Sequence, residues 1–259
     1  MTDRIVQNNP GISEDETGTI YVVGIGPGAG NTMTLQAKEA LDVCDVITGY
    51  KSYTDLVREQ YPKKQIIESG MRQELERCRQ CIDLAKQGKN VALICSGDAG
   101  VYGMASPMLE IAKAGDFEDV RIIPGVTAAL SGAALLGAPL GHDLCIISLS
   151  DLLTPWEIIE KRLKCAAEGD FCIVIYNPAS SRRKEYLSNA CKVMLTISPP
   201  DRLCGYVRNI GRDGTDMRIC TLSELAGADV DMQTTVFIGN SRTYSANGRL
   251  ITPRGYTIG

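Results

Sequence analysis

Apolar positions along the chain come in two textures. Short runs dense in valine, isoleucine and leucine cover 19–25, 91–95, 119–123, 145–150, 171–176, 203–207 and 234–239. Such runs read as buried strands. Segments 45–50 and 65–68 are shorter candidates of the same kind. Between the runs, apolar residues recur every three or four positions, the spacing of one helix face. Over 34–43 that face holds Leu35, Ala37, Ala40 and Leu41. Over 71–88 it holds Leu75, Cys78, Ile82 and Ala85, with Gly88 as a fitting stop. Thr154 as cap and Pro155 as first residue open a helix reaching Glu168, whose Trp156, Ile159, Leu163 and Ala166 share a core-facing side. Further helices are expected from Val101, through the small residues 128–134, from the 177–183 loop to near Ile197, and over 221–225; 51–61 is a polar helix or loop.

Strands alternating with helices predict an α/β chain. Gly137-Ala138-Pro139-Leu140-Gly141 interrupts the pattern and marks a domain boundary. The expected organisation is a flexible tail over 1–18, an α/β domain over 19–138 and a second over 139–259. The tail is polar and acidic, unlike a secretory leader.

The chain has 259 residues, 44% of them hydrophobic and 22% charged, with net charge −4. That length supports two domains with substantial cores. No basic field exists to hold nucleic acid, and no apolar stretch reaches membrane-spanning length. Ten cysteines are present, many inside apolar segments (Cys44, Cys95, Cys145, Cys172, Cys204), where a free thiol acts as a small hydrophobe. A reducing, cytoplasmic setting fits them better than a disulfide framework. Cys78-Arg79-Gln80-Cys81 is a lone C-x-x-C without a second pair, so no metal site is expected.

The stretch with most chemistry is 91–103. A buried strand ends in Ser96-Gly97-Asp98-Ala99-Gly100 and a helix opens after it. Open α/β sheets bind ligands at such strand ends, and glycine lets a ligand reach the backbone. Asp98 offers a carboxylate to a ribose hydroxyl or an ammonium; equally, it caps the next helix. The earlier turn, Gly24-Ile25-Gly26-Pro27-Gly28-Ala29-Gly30, fits the dinucleotide fingerprint through Gly24-x-Gly26-x-x-Ala29. Against that fit, Pro27 removes a backbone N–H, and the strand 45–50 ends without the acid that grips an adenosine ribose. His142 is the single histidine; there is no nucleophile elbow and no phosphate-loop lysine. Strand-end loops rich in Gly, Asp, Thr, Ser, Asn and Arg suit a reaction whose reactive atom comes from a cofactor.

Four segments in order, V-V-G-I-G-P-G-A-G (22–30), S-G-D-A-G-V-Y-G (96–103), I-P-G-V-T-A (123–128) and T-T-V-F-I-G (234–239), resemble the tetrapyrrole (corrin/porphyrin) methylase family. The resemblance runs from about residue 19 to 244. It implies two α/β domains with the cofactor in the cleft between them, S-adenosylmethionine as methyl donor with S-adenosylhomocysteine as product, and a homodimer. Within the family, G-A-P-L-G-H-D (137–143), S-L-S-D-L-L-T-P-W (148–156), Y-N-P-A-S-S-R-R (176–183) and G-N-S-R-T-Y (239–244) are most similar to ring-contracting C17-methyltransferases. Their substrate is precorrin-3B or cobalt-factor III, on the route to cobalamin. No iron–sulfur extension is expected.

Carried over by position, the resemblance places cofactor contacts at Pro27, Ser96, Gly97, Asp98, Val101, Thr127, Ala128, Asn177 and Ile210. Carboxylate-rich substrates call for cations, and Lys51, Arg182, Arg183, Arg208 and Arg212 lie on suitable loops. Asp151, Tyr176 and His142 are candidates for the proton handling that ring contraction needs. The competing readings are a sister methylase acting at C11 or C20, a Rossmann-type nucleotide-dependent oxidoreductase, and a non-catalytic ligand-binding protein.

Overall fold

Residues 17–28, 30–180 and 182–257 are described by a computed structural model. Most of the expected tail therefore lies outside the described residues, as do Ala29 and Ser181. The chain divides into two compact units. One runs to Gly26 and resumes over Met33–Gly125; the other comprises Pro27–Thr32 and the chain from Val126 onward.

In chain order the first unit contains β1 (Ile20–Gly24), α1 (Leu35–Val43), β2 (Val46–Tyr50), α2 (Lys51–Val57), β3 (Gln65–Ser69), α3 (Glu74–Ala85), β4 (Val91–Cys95), α4 (Ala105–Ala114) and β5 (Val120–Ile123). Its strands form one sheet in the order β3-β2-β4-β1-β5, parallel throughout. Val91, Leu93 and Cys95 pack toward α3 and α4, while Ala92 and Ile94 pack toward α1 and α2. Helices on both faces explain why the β4 run is apolar without a break.

On α3 the buried face differs from the expected one. Leu75 is 52% exposed and Arg77 only 4% exposed. The Arg77 guanidinium donates to Ser69 Oγ and to the Gly70 carbonyl, which lets a charged residue replace an apolar one there.

The second unit contains α5 (Ala128–Leu136), β6 (Gly137–Ala138), β7 (Leu144–Ser148), α6 (Trp156–Glu168), β8 (Cys172–Tyr176), α7 (Tyr186–Met194), β9 (Leu203–Arg208), β10 (Asp216–Thr221), α8 (Leu222–Leu225), β11 (Thr234–Ile238), β12 (Tyr244–Ala246) and β13 (Arg249–Ile251). The main sheet is ordered β10-β9-β11-β8-β7, and only the β7–β8 pair is parallel. A small sheet joins β12, β13 and β6.

Contacts divide the chain at Gly125–Val126, ahead of the expected break at 137–141. The reason is α5: its Ala129, Ala133 and Leu136 pack with Val174, Val207 and Phe237 of the second sheet. Its small residues serve that approach, since a Cβ on Gly132 would sit 2.7 Å from Phe237 Cζ. Segment Pro27–Thr32 joins the second unit for a similar reason. A Cβ on Gly28 would lie 1.9 Å from the Gly211 carbonyl oxygen, and Arg212 Nε donates to the Pro27 carbonyl at 3.0 Å.

Candidate functional site

In the first sheet, the connection from β1 leads to β2 on one side, and that from β4 leads to β5 on the other. Since β1 and β4 are neighbours, their carboxyl ends form a topological switch point, where open α/β sheets hold ligands. Gly26 N–H donates to the Gly97 carbonyl at 3.0 Å and Gly97 N–H returns to Gly26 at 2.8 Å. The loop after β5 is packed as closely. A Cβ on Gly125 would stand 2.1 Å from the Gly97 carbonyl oxygen and 2.5 Å from that of Gly24. Backbone thus lies directly on backbone at three strand ends.

Asp98 fastens this arrangement. Its Oδ1 accepts from Gly100 N–H (2.8 Å) and Val101 N–H (3.0 Å), and its Oδ2 from Gly125 N–H (2.9 Å). The carboxylate is engaged with the protein's own backbone within the loop and caps no helix, since α4 opens only at Ala105 with Met104 at its N-cap. Ser96, Gly97, Asp98 and Val101 are held as one loop by these bonds.

The other expected cofactor residues belong to the second unit. Thr127 is buried at the N-cap of α5, followed by Ala128. The Tyr176 hydroxyl accepts from Ala129 N–H at 2.7 Å and hydrogen-bonds Thr127 Oγ1. Tyr176 therefore caps α5, a task Thr127's own side chain leaves undone. Asn177 is exposed at φ 53° and donates from Nδ2 to Ser148 Oγ at 2.9 Å. Ile210 is a core residue, 6% exposed. Pro27 is buried, its carbonyl taken by Arg212.

The three proton-handling candidates do not form one device. Asp151 follows β7 and Tyr176 closes β8, at the carboxyl end of that parallel pair. His142 precedes β7, at the opposite end, and is exposed with Nδ1 3.6 Å from Asp143. Four residues of strand rise, about 13 Å, separate the two ends. The sequence places His142 only two residues before a strand start, and strand direction then carries it away from the others.

Most expected substrate cations are engaged. Lys51 lies 3.4 Å from Asp55 and 3.7 Å from Glu68, a carboxylate it shares with Arg58. Arg208 pairs with Asp231 at 3.3 Å and donates to the Asp229 carbonyl. Arg212 binds Pro27 and, at 3.0 Å, Gln233 Oε1. Arg183 Nε stands 2.9 Å from Asp151 Oδ1. Arg182 is exposed, with no ion-pair partner among the described residues.

Sequence reasoning passed over Tyr186, whose hydroxyl donates to Asp151 Oδ2. That hydrogen bond, with burial second, raises the Tyr186 phenol above its ordinary pKa of 10.0. The available signal was an aromatic residue opening a helix just after an arginine-rich loop. The cysteines are free, and burial pushes the Cys44 and Cys191 thiols up to about 12 and those of Cys78, Cys95, Cys145 and Cys220 to about 11. Among the described residues, no group of three or more His, Cys, Asp or Glu could hold a metal ion, and no helix is long and apolar enough to cross a membrane.

The family model of the tetrapyrrole (corrin/porphyrin) methylases matches residues 19–226. The chain is 48% identical over 240 residues to the probable cobalt-factor III C(17)-methyltransferase of Salmonella typhimurium, covering 92% of this chain and 100% of that one. It is 39% identical over 231 residues to the precorrin-3B C(17)-methyltransferase of a Sinorhizobium species, covering 88% and 91%. Among solved structures, the methyltransferase CobJ is similar at TM-score 0.84 and 35% identity, over 92% of this chain and 100% of that one. With its matched motifs, its α/β architecture and these relatives, the chain belongs to the tetrapyrrole methylase family.

Proposed function

We propose that the protein transfers a methyl group from S-adenosylmethionine to C17 of precorrin-3B or cobalt-factor III and contracts the macrocycle. One observation carries this: the 48% identity to a relative of that name extends over that relative's whole length. Geometry adds support. The switch-point loop over 96–103 is laid closely on Gly24 and Gly125 at the carboxyl ends of the strands, the place where open α/β sheets hold nucleoside ligands. S-adenosylmethionine supplies an activated methyl group on a sulfonium.

The chain's own residues then have a positioning task. Asp98 fixes the loop through three N–H groups, so its donors and acceptors are ordered before any ligand arrives. Tyr176 sets the first turn of α5 and with it Thr127 and Ala128. Neither side chain has to move a proton for this. A homodimer in the cytoplasm belongs to the same reading, supported by the resemblance and by ten free cysteines. Sedimentation equilibrium at twice the chain mass is the expected result for the dimer.

Isotope labelling tests the site of transfer. With a 13C-methyl donor, carbon NMR of the product should show the label on C17. A label on C11 or C20 assigns the chain to a sister methylase instead.

A further inference from the structure

Two strand-end loops of the second unit meet at Asp151. Asp151 follows β7 and Arg183 follows β8, parallel neighbours, so both leave the same sheet end. Arg183 Nε lies 2.9 Å from Asp151 Oδ1, and the guanidinium carbon stands 5.8 Å from the Tyr186 ring centroid. Tyr186 in turn donates its hydroxyl to Asp151 Oδ2 and leans on Trp156, with 5.1 Å between ring centroids. The contact at Asp151 Oδ1 is an ion pair without a hydrogen bond, so charge along one edge and the Tyr186 ring over one face hold the guanidinium. Among the described residues, nothing accepts from its Nη groups, and the side chain is 22% exposed. Directly after Asp151, Leu152 is 55% and Leu153 98% exposed.

A guanidinium paired by charge on its Nε side keeps a planar fork of N–H donors, the geometry that binds a carboxylate by two parallel hydrogen bonds. The bare leucines supply apolar surface beside it. A tetrapyrrole carries both complements: acetate and propionate groups on the rim of a flat apolar ring. We infer that Arg183 is the receptor for one of these substrate carboxylates, that Leu152 and Leu153 form the lip against the macrocycle, and that Asp151 and Tyr186 position the guanidinium. Asp151 then acts through Arg183 and carries no proton in ring contraction. The inference rests on the tetrapyrrole substrate proposed above.

Steady-state kinetics with cobalt-factor III, alongside calorimetry with S-adenosylhomocysteine, test it. Arg183→Gln should raise KM for the tetrapyrrole about tenfold or more while kcat stays within about threefold, the mark of lost uniform binding. Tyr186→Phe and Asp151→Asn should give the same split, smaller for Tyr186→Phe because the ring under the guanidinium remains. Arg183→Lys should recover part of the loss. S-adenosylhomocysteine affinity should be unchanged throughout, which shows that the variants fold. A fall in kcat with a shifted pH profile and unchanged KM in Asp151→Asn would overturn the positioning role. Unchanged KM in Arg183→Gln would overturn the receptor. If the wild-type enzyme binds cobalt-factor III through Arg183 yet methylates no carbon, the C17 reading fails and the receptor stands.

Discussion

The strand-end loops of the two units are built from different materials. In the first unit, Gly24, Gly97 and Gly125 press backbone on backbone, and one carboxylate, Asp98, ties three N–H groups. In the second, Gly28 and Gly211 repeat that packing, but the loops after β7 and β8 are fastened by side chains: Tyr176 caps α5, Asn177 reaches Ser148, and Asp151 pairs with Arg183 and accepts from Tyr186. Backbone packing leaves no room for even one added carbon. Side-chain fastening is graded, so a lost hydroxyl weakens it without displacing the chain. The glycine-packed loops of the first unit should therefore respond to substitution as all or none, and the loops after β7 and β8 in steps.

The largest effect is expected at Gly125. Its alanine variant places Cβ 2.1 Å from the Gly97 carbonyl oxygen, and backbone must shift on both sides. A loss of about 3 kcal/mol or more in denaturant unfolding is expected. Next comes Asp98→Ala, which leaves three N–H groups without their acceptor. A stability loss of about 2–3 kcal/mol is expected, with markedly weaker S-adenosylhomocysteine binding by calorimetry. Unchanged affinity there would mean that this loop does not hold the cofactor. Tyr176→Phe removes a cap and should cost about 1 kcal/mol. Retained kcat in that variant separates the cap from an acid–base role. Equal losses for Gly125→Ala and Tyr176→Phe would erase the distinction between the two kinds of loop.

Smaller still is a pH effect at Asp170. Burial pushes its carboxyl up, but hydrogen bonds from Ser241 and Arg202 outweigh this and hold it below the ordinary 3.8. A depressed carboxylate stabilises the fold above its unfolded pKa, and that contribution fades as pH falls through the folded one. Asp170→Asn should therefore flatten the stability profile below about pH 4. Because Asp170 is 41% exposed, solvent screening keeps the change small. The smallest signal is chemical. Cys165 is the exposed cysteine and should react first with a thiol reagent, while the buried thiols, held well above neutral pKa, wait for unfolding.

Fold class was legible because β1, β4, β8 and β11 are short apolar runs buried almost throughout, a pattern that strand burial imposes directly. By contrast, β10 and β12 were not legible: their residues are largely exposed, so no apolar pattern marks them. The contact division falls at Gly125–Val126 and not at 137–141 for a related reason. Gly137 and Gly141 do break the chain, but α5 before them is committed to the second sheet by packing that composition does not encode. At the candidate site, the 96–103 loop could be read from its glycines. What Asp98 does with its carboxylate could not, since the choice between ligand and backbone depends on Gly125, which reaches it from another strand end. Asp151 was noticed as an acid, but its partners arrive from the β8 loop and α7, and only folding brings them within reach.

The central claim is methyl transfer with ring contraction on one tetrapyrrole. Anaerobic incubation with S-adenosylmethionine and, separately, cobalt-factor III or precorrin-3B, read by mass spectrometry, tests it most directly. A gain of one methyl group on either substrate is the expected result, and the preferred substrate decides between cobalt-containing and metal-free chemistry. No gain on either, with S-adenosylhomocysteine still bound, would contradict the claim and point to a different tetrapyrrole.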